Sequence, residues 1–190
     1  MSGSFTPNYM FASYSDITPE FLESIGIRAI LTDIDNTLAP YEQALPDARI
    51  KGWLSSLAER GISVALISNN ESERVDAFNE SLGLAAYAKS GKPLSKNLYA
   101  AMERLGTDES STAMLGDQLL TDALAGNRIG LVTIIVPPIN DKNNLFFGLK
   151  RGLEVGTVKR FVRAHGEAYR DICSFWLEKK YKRKNRSSKT

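Results

Sequence analysis

Short apolar runs alternate along the chain with longer stretches in which apolar residues recur three or four positions apart. The short runs have the length and composition of buried β-strands, and we predict strands at residues 28–34, 62–68, 85–89, 112–117 and 131–136. The longer stretches have the period of amphipathic helices, and we predict helices within residues 46–61, 71–83, 95–106 and 120–130. The residues before the first strand form a polar segment in which no element is predicted.

This alternation of strands and helices is typical of a parallel sheet that carries helices on both faces. The sequence therefore predicts an α/β fold of the doubly wound, Rossmann-like class. In such folds, ligands bind beyond the carboxyl ends of the strands. The residues that directly follow each predicted strand are therefore the first candidates for a functional site.

Polar side chains with chemical capacity follow four of the predicted strands. In chain order they are Asp33 and Asp35, Ser68 and Asn69, Lys92, and Asp117. Carboxylates, a hydroxyl group and an amine at one edge of a sheet are suited to binding a phosphate group together with a metal ion. We therefore predict a site for phosphate chemistry at this edge.

The carboxylates carry most of this chemistry. Asp33 and Asp35 point the same way because residues i and i+2 of an extended segment do so, and Asp117 and Asp122 can approach from a neighbouring strand. Several carboxylates in one crevice need a cation, and an all-oxygen ligand set favours Mg²⁺. One carboxylate can attack phosphorus and form an aspartyl-phosphate, while a second exchanges protons with the leaving group and with water.

Four segments, in this order, resemble the motifs of haloacid dehalogenase-like (HAD) phosphatases. They are "DIDNT" at 33–37, "ISN" with Ser68, "GKP" with Lys92, and "GDQLLTD" at 116–122. The resemblance implies that Asp33 is the nucleophile and Asp35 the general acid and base. It further implies a catalytic set of Asp33, Asp35, Thr37, Ser68 and Lys92, a phosphate-binding set of Ser68, Asn69 and Lys92, and a metal set of Asp33, Asp35, Asp117 and Asp122. In this scheme Thr37 stabilises the loop around Asp35, and Asp122 supports the metal or the lysine.

Two longer segments resemble a narrower group. "YSDITPEFLESIGIRAILTDIDNTL" and "GDQLLTDALAGNRIGLVTIIVPPI" are similar to the YqeG family, within HAD subfamily IIIA, and the similarity extends from about residue 8 to about residue 178. Members of that family and related mitochondrial enzymes dephosphorylate phosphatidylglycerophosphate to phosphatidylglycerol. The resemblance therefore implies this lipid phosphate as the substrate, although none of the four motifs recognises a lipid.

The spacing of the motifs leaves no room for a cap domain. One loop, one helix and one strand account for the residues from Asp33 to Ser68, and only a helix and a short strand fit between Ser68 and Lys92. HAD enzymes that select small metabolites usually insert a cap in one of these places. We therefore predict an uncapped core with an open site, which suits a phosphate carried on a membrane, a protein or the end of a nucleic acid.

The composition limits the kinds of site and the compartment that we expect for this chain. A single cysteine and a single histidine exclude a disulfide framework and make a histidine-based zinc centre or a Ser-His-Asp triad improbable. No apolar run reaches the length of a membrane span, and the N-terminus lacks the features of a secretory signal. We therefore expect a cytoplasmic protein. Residues 1–147 carry 11 basic and 18 acidic side chains, a net charge of −7, whereas residues 148–190 carry 13 and 4, a net charge of +9.

The basic segment leads to a predicted division into a HAD-like domain, residues 1–147, and a helical tail, residues 148–190. Apolar residues of the tail fall on one helical stripe: Val158, Phe161, Val162, Tyr169, Ile172 and Trp176. Together with the basic residues, the stripe favours peripheral contact with an anionic membrane. The alternative is that the stripe packs on the sheet and a disordered basic end follows. Gly166 is expected to break the helix.

Each functional interpretation has a plainer alternative. Asp33 and Asp35 could lie in a solvated turn, Ser68 could cap the following helix, and Lys92 could be a surface lysine. Asp122 could be an acid in the first turn of a helix, favoured by the helix dipole. The enzyme could act on a protein, sugar or nucleotide phosphate, or the chain could bind RNA through its tail. We favour the lipid phosphatase and expect no nucleic-acid partner.

Overall fold

The computed structural model describes residues 4–140 and 145–177, and over 145–153 the backbone alone. The strands are β1 (Tyr9–Met10), β2 (Ala29–Thr32), β3 (Ser63–Ile67), β4 (Ala85–Tyr87), β5 (Thr112–Gly116) and β6 (Val132–Ile135). The α-helices are α1 (Pro19–Ser24), α2 (Ala48–Glu59), α3 (Ser72–Asn79), α4 (Lys96–Leu105), α5 (Leu124–Ile129), α6 (Leu145–His165) and α7 (Ser174–Leu177). A π-helical turn, Leu119–Ala123, precedes α5, and 3₁₀ turns lie at Tyr14–Asp16 and Glu167–Tyr169.

All of these strands are parallel and lie in one sheet in the order β1-β6-β5-β2-β3-β4. The predicted doubly wound class is therefore confirmed, and each of the five predicted strands is present. The segment that was expected to be only polar also contributes an edge strand, β1, which pairs with β6 through Tyr9 opposite Ile134. Two residues are too short a strand to produce a period in the sequence.

Helices cover both faces of the sheet. Ile30 faces a core with residues of α1, α2 and α3, whereas its neighbour Leu31 faces a second core with residues of α4 and α5. Adjacent residues of a strand point to opposite faces, so a strand that is covered twice must be apolar at every position. This is why residues 29–31 of β2 are all apolar, and the fully buried side chains of Ile30 and Leu31 each contribute roughly 1.5–3 kcal/mol.

A third apolar cluster joins the C-terminal segment to the end of the sheet. We call it the C-terminal cluster, and its buried members are Met10, Leu119, Ala123, Ile135, Val158, Phe161, Val162, Cys173 and Trp176. Tyr169 and Ile172 pack against it, so every residue of the predicted stripe lies in or against this cluster. The stripe therefore packs on the protein, as the alternative interpretation expects, and contact of the tail with a membrane stays a prediction.

The described part of the tail is helical as predicted. Helix α6 ends at His165, and Gly166 follows with φ +98°, a backbone conformation that favours glycine. The predicted boundary between residues 147 and 148 falls inside α6, near its start. The basic end at 178–190, for which disorder was expected, lies outside the described residues.

The predicted absence of a cap domain is also confirmed. Residues 33–92 are all described, and beyond the loops they contain only α2, β3, α3 and β4. The carboxyl edge of the sheet is therefore not covered by an inserted domain.

Among the residues that the structure describes, no helix is long and apolar enough to cross a membrane.

Candidate active site

The register of the sheet brings the predicted residues together. Strand β2 lies between β3 and β5, and its last residue, Thr32, is level with Leu66 on one side and Leu115 on the other. The backbone N–H of Asp33 then donates to the carbonyl of Leu115 at 2.9 Å. The segment after β2 is therefore at the centre of the edge, within reach of the segments that follow the neighbouring strands.

The chain turns sharply after Asp33 and folds its own backbone into a loop. The carbonyl of Ile34 accepts hydrogen bonds from the N–H groups of Thr37, Leu38 and Ala39. Asn36 has φ +64°, a left-handed conformation that asparagine tolerates better than most residues. The N–H of Ile34 also donates to Oδ1 of Asp33 at 2.8 Å. The Asp33 carboxylate is therefore fixed by the loop that it begins.

Lys92 pairs with two carboxylates of the site. Its Nζ lies 2.7 Å from Oδ1 of Asp122 and 3.3 Å from Oδ1 of Asp33, and its side chain is 1% exposed. A buried ammonium group is tolerated only where carboxylates compensate its lost hydration. The alternative of Lys92 as a surface lysine is therefore excluded.

Three buried carboxylates form one cluster. One oxygen from each of Asp33, Asp117 and Asp122 lies within 4.8 Å of the other two, and the hydroxyl of Thr37 donates to Asp117 at 3.5 Å. If all three are ionised, Lys92 neutralises one charge and two negative charges remain. A hard divalent cation fits this all-oxygen cluster in both charge and ligand type.

The pKa values reflect this crowding. Burial raises the pKa of Asp33 to about 7, Asp122 and Asp35 raise it as well, and Lys92 opposes the shift. Burial also raises the pKa of Asp117 well above its usual range, and the charge of Asp122 adds to this. Burial lowers the pKa of Lys92, but Asp122 and Asp33 outweigh that effect and raise it to about 12. Lys92 is therefore charged, and a cation beside the carboxylates would reverse the shifts of Asp33 and Asp117.

Asp35 has a different environment from Asp33. Its Oδ1 accepts from Nε of Arg74 at 3.2 Å and pairs with Nη2 of Arg74 at 3.1 Å, while its Oδ2 accepts from Nδ2 of Asn70 at 3.0 Å. The carboxylate cluster described above contains Asp33, Asp117 and Asp122, whereas Arg74 and Asn70 hold the oxygens of Asp35; the metal role of Asp35 stays a prediction.

Ser68 and Asn69 lie at the end of β3, and their side chains have different partners. The hydroxyl of Ser68 accepts from the N–H of Asn70, and the N-cap of α3 is Glu71, so Ser68 does not cap that helix. Asn69 accepts from the N–H of Lys92 at 2.8 Å and donates to the carbonyl of Lys92 at 3.1 Å. Asn69 therefore fixes the backbone that carries Lys92.

Asp122 reaches the site because of a glycine. A Cβ on Gly116 would lie 2.3–2.4 Å from atoms of the Asp122 side chain, a distance that no real contact tolerates. Oδ2 of Asp122 also accepts from the N–H of Gln118 at 3.1 Å. Asp122 thus stabilises the turn in which it lies, as its plainer interpretation requires, and also pairs with Lys92.

An open cavity of about 250 Å³ lies in front of these groups. It is lined by Asp33, Asp35, Tyr41, Ser68, Asn69, Asn70, Lys92, Gln118 and Thr121. The predicted site residues did not include Tyr41, Asn70, Arg74, Gln118 or Thr121. All five lie within six residues of a motif residue, and two of them lie inside the 116–122 motif, so proximity to the motifs was the available signal. Burial, together with the surrounding carboxylates, raises the pKa of the Tyr41 hydroxyl to about 12.

The comparisons with known proteins define the class. The family described as haloacid dehalogenase-like hydrolase matches residues 19–130, which include all four motifs. The chain therefore belongs to the HAD-like hydrolases, and the phosphatase class expected from its motifs is confirmed.

Two curated relatives and one solved structure show which members of this class the chain is similar to. The chain is 35% identical over 150 residues to Probable phosphatase YqeG of Bacillus subtilis, covering 79% of this chain and 87% of that protein. It is 26% identical over 154 residues to Phosphatidylglycerophosphate phosphatase 1, chloroplastic/mitochondrial, of Arabidopsis thaliana, covering 76% of this chain and 44% of that protein. A Vibrio cholerae structure described as a 3-deoxy-D-manno-octulosonate 8-phosphate phosphatase matches the fold with a TM-score of 0.51 at 20% identity, over 64% of this chain and 73% of that one.

Proposed function

We propose that the chain is a Mg²⁺-dependent phosphatase that hydrolyses a phosphomonoester through an aspartyl-phosphate on Asp33. The observation that carries this proposal is the position of Asp33, which lines an open cavity, lies 3.3 Å from Nζ of Lys92 and has oxygens of Asp117 and Asp122 within 4.8 Å. Mg²⁺ held by Asp33 and Asp117, with Asp122 beside them, would neutralise the phosphate and allow a carboxylate to approach it.

Each residue of the site then has its own role in the reaction. A carboxylate oxygen of Asp33 attacks phosphorus, and the bond from phosphorus to the ester oxygen breaks. Lys92 and Ser68 stabilise the charge on the phosphoryl oxygens. Asp35 gives a proton to the leaving oxygen and then takes one from the water that attacks the aspartyl-phosphate. This second attack releases phosphate and returns Asp33 as a carboxylate.

Trapping the intermediate tests the mechanism. The protein is mixed with a phosphomonoester and quenched in acid, and the mass of the peptide that contains residue 33 is measured. We expect that peptide to carry one phosphoryl group, and to lose it when the quenched sample is brought to alkaline pH. A phosphoryl group on another residue, or turnover without any phosphorylated peptide in rapid-quench samples, would contradict the mechanism.

We further propose phosphatidylglycerophosphate as the substrate. The name of the Arabidopsis relative supports this choice, and so do an open cavity without a cap domain and the seven basic side chains within residues 178–190. Because the apolar stripe of the tail is buried in the protein, peripheral contact with an anionic membrane would depend on that basic end. The predicted division of the chain after residue 147, into a HAD-like domain and a helical tail, also stays a proposal.

A substrate panel tests this choice. The phosphatidylglycerophosphate arm uses mixed micelles, and the soluble arms include sugar phosphates, because a Halopiger xanaduensis relative, 31% identical over 108 residues, is named Ribulose-1,5-bisphosphate 5-phosphatase. We expect kcat/KM to be at least about 10-fold higher for the lipid, and truncation after residue 177 to lower binding to anionic vesicles in a salt-dependent way. A preference for a soluble phosphate would contradict the proposal.

A further inference from the structure

Arg74 is the charged group of this region that the mechanism above does not use. It lies in the first turn of α3, and its side chain is 15% exposed. Two of its nitrogens, Nε and Nη2, lie 3.2 and 3.1 Å from the same oxygen of Asp35. This ion pair joins the residue two positions after the nucleophile to a different element of the fold.

The guanidinium group is itself held from two other sides. Its Nη1 donates to the carbonyl of Ala44 at 3.0 Å, which fixes it to the loop between β2 and α2. Its carbon lies 5.2 Å from the centre of the Phe78 ring, one turn further along α3. A planar group that two neighbours already hold loses little further freedom when it binds a carboxylate. Arg74 is thus a rigid support for Asp35.

The arrangement separates two carboxylates that the sequence places on the same side. Asp33 faces Lys92 and the carboxylate cluster, whereas Arg74 and Asn70 hold Asp35 against the wall of the cavity. An Asp35 side chain without these partners would be free to turn toward the cation site, where it would add a fourth carboxylate and leave the position from which a proton reaches the ester oxygen.

We propose that Arg74 is a positioning residue that holds Asp35 on the leaving-group side of the cavity. This inference rests on the proposed phosphatase mechanism and adds to it a residue that acts only through Asp35. The need for an acid increases with the basicity of the leaving oxygen, since a stable phenolate departs without a proton and an alkoxide does not. Loss of Arg74 should therefore slow the formation of the aspartyl-phosphate from alkyl phosphates much more than from p-nitrophenyl phosphate.

The experiment compares both substrates in Arg74→Ala and Arg74→Lys. The rate of the first step is measured by rapid quench as the burst of released alcohol or phenol, because hydrolysis of the aspartyl-phosphate needs Asp35 with either substrate. For Arg74→Ala we expect this rate to fall about 10–100-fold with an alkyl phosphate and to change less than about 3-fold with p-nitrophenyl phosphate, with both half-saturating substrate concentrations within about 2-fold. Arg74→Lys keeps one charged donor and should recover part of the loss. The matched control is Arg60→Ala, which removes a comparable pair with Glu23 at the surface and should leave the ratio of the two rates unchanged.

A double-mutant cycle with Asp35→Asn tests whether the effect passes through Asp35. We expect Arg74→Ala to lower the alkyl phosphatase rate in the wild-type background and to change it less than about 2-fold in the Asp35→Asn background. Equal losses in both backgrounds, or a rise in KM on both substrates, would overturn the inference, since Arg74 would then contact the substrate. A wild-type protein without activity on either substrate would overturn the proposed function and this inference with it.

Discussion

Two buried regions meet at the carboxyl edge of the sheet, and they have opposite chemistry. The candidate active site buries charges: Lys92 and three carboxylates lie with little exposure around an open cavity. The C-terminal cluster buries aromatic and aliphatic side chains, among them Phe161 and Trp176, and the sulfur atoms of Cys173 and Met10 lie 3.5 Å apart in it. Desolvated charges destabilise the first region, whereas apolar burial stabilises the second.

The π-helical turn Leu119–Ala123 belongs to both regions. Leu119 and Ala123 pack in the C-terminal cluster, whereas Asp122, between them in the chain, pairs with Lys92. The apolar residues of the turn therefore hold a buried acid in place against its own cost of desolvation. We infer that the two regions divide the work, one supplying stability and the other chemistry, and each of the following predictions tests that division.

The largest expected effect is the loss of activity in Asp33→Asn. We expect phosphatase turnover to fall more than about 10³-fold because an amide oxygen does not attack phosphorus, and the free energy of unfolding to stay equal or to rise because a buried charge is removed. Turnover of p-nitrophenyl phosphate and chemical denaturation measure the two effects. Asp76→Asn, an exposed aspartate of α3, is the control. Residual turnover of a few per cent would contradict the role of Asp33.

The next effect is on stability alone. Trp176→Ala should lower the free energy of unfolding by about 3–5 kcal/mol, since it empties a site where the side chain is 2% exposed. The value of kcat per folded molecule should stay within about 2-fold. Denaturation curves and active-site-normalised rates check this pair of results. Arg163→Ala, exposed on α6, should change stability by less than about 0.5 kcal/mol.

Substitution of two glycines should have a smaller effect, and it separates the role of Asp122 from the effect of packing. Gly116→Ala should lower kcat about 10–100-fold, because the new Cβ displaces the Asp122 side chain from Lys92. Gly126→Ala creates a similar overlap, 2.5 Å from Cγ2 of Thr133, outside the site. Both variants should lose about 1–3 kcal/mol of stability, and only Gly116→Ala should lose kcat. Equal losses of kcat would show that packing rather than Asp122 sets the rate.

The smallest effect is a dependence of stability on pH in protein prepared without divalent cations. The pKa of Asp33 is about 7 in the folded protein against an ordinary value of 3.8, so the folded state binds more protons between these values. The contribution of Asp33 to the free energy of unfolding therefore falls as pH rises from about 4 to about 7 and is level above that, by at most about 1.4 kcal/mol per pH unit.

Denaturation of the wild type and Asp33→Asn at several pH values measures this contribution as the difference between the two proteins. The difference should grow with pH over this window. Saturating Mg²⁺ at pH 8 should stabilise the wild type by about 2.7 kcal/mol at 100 times its Kd, and Asp33→Asn by less. A constant difference across the window would mean that Asp33 is ionised throughout.

The sequence was sufficient for the fold class and for most of the site. Four of the five predicted strands end at or shortly before a motif residue, and parallel strands bring their carboxyl ends to one edge, so Asp33, Lys92 and Asp117 were expected to lie close together. The partners of Asp35 were harder to predict, because Arg74 lies on a helix and reaches the site across a loop. An apolar stripe indicates burial but not the surface that covers it, so the sequence could not show that the stripe of the tail packs in or against the C-terminal cluster.

The edge strand β1 has a consequence for how this chain folds as it is made. Asn8 bonds to Thr133, a partner 125 positions later, and the segment around Cys173 then closes over Met10. Strand β1 can therefore pair with β6 only after nearly all of the sheet has emerged from the ribosome. Contacts between such distant segments form slowly, so β6 has an open edge until β1 arrives. The two ends of the described chain must therefore meet before this edge of the sheet is covered.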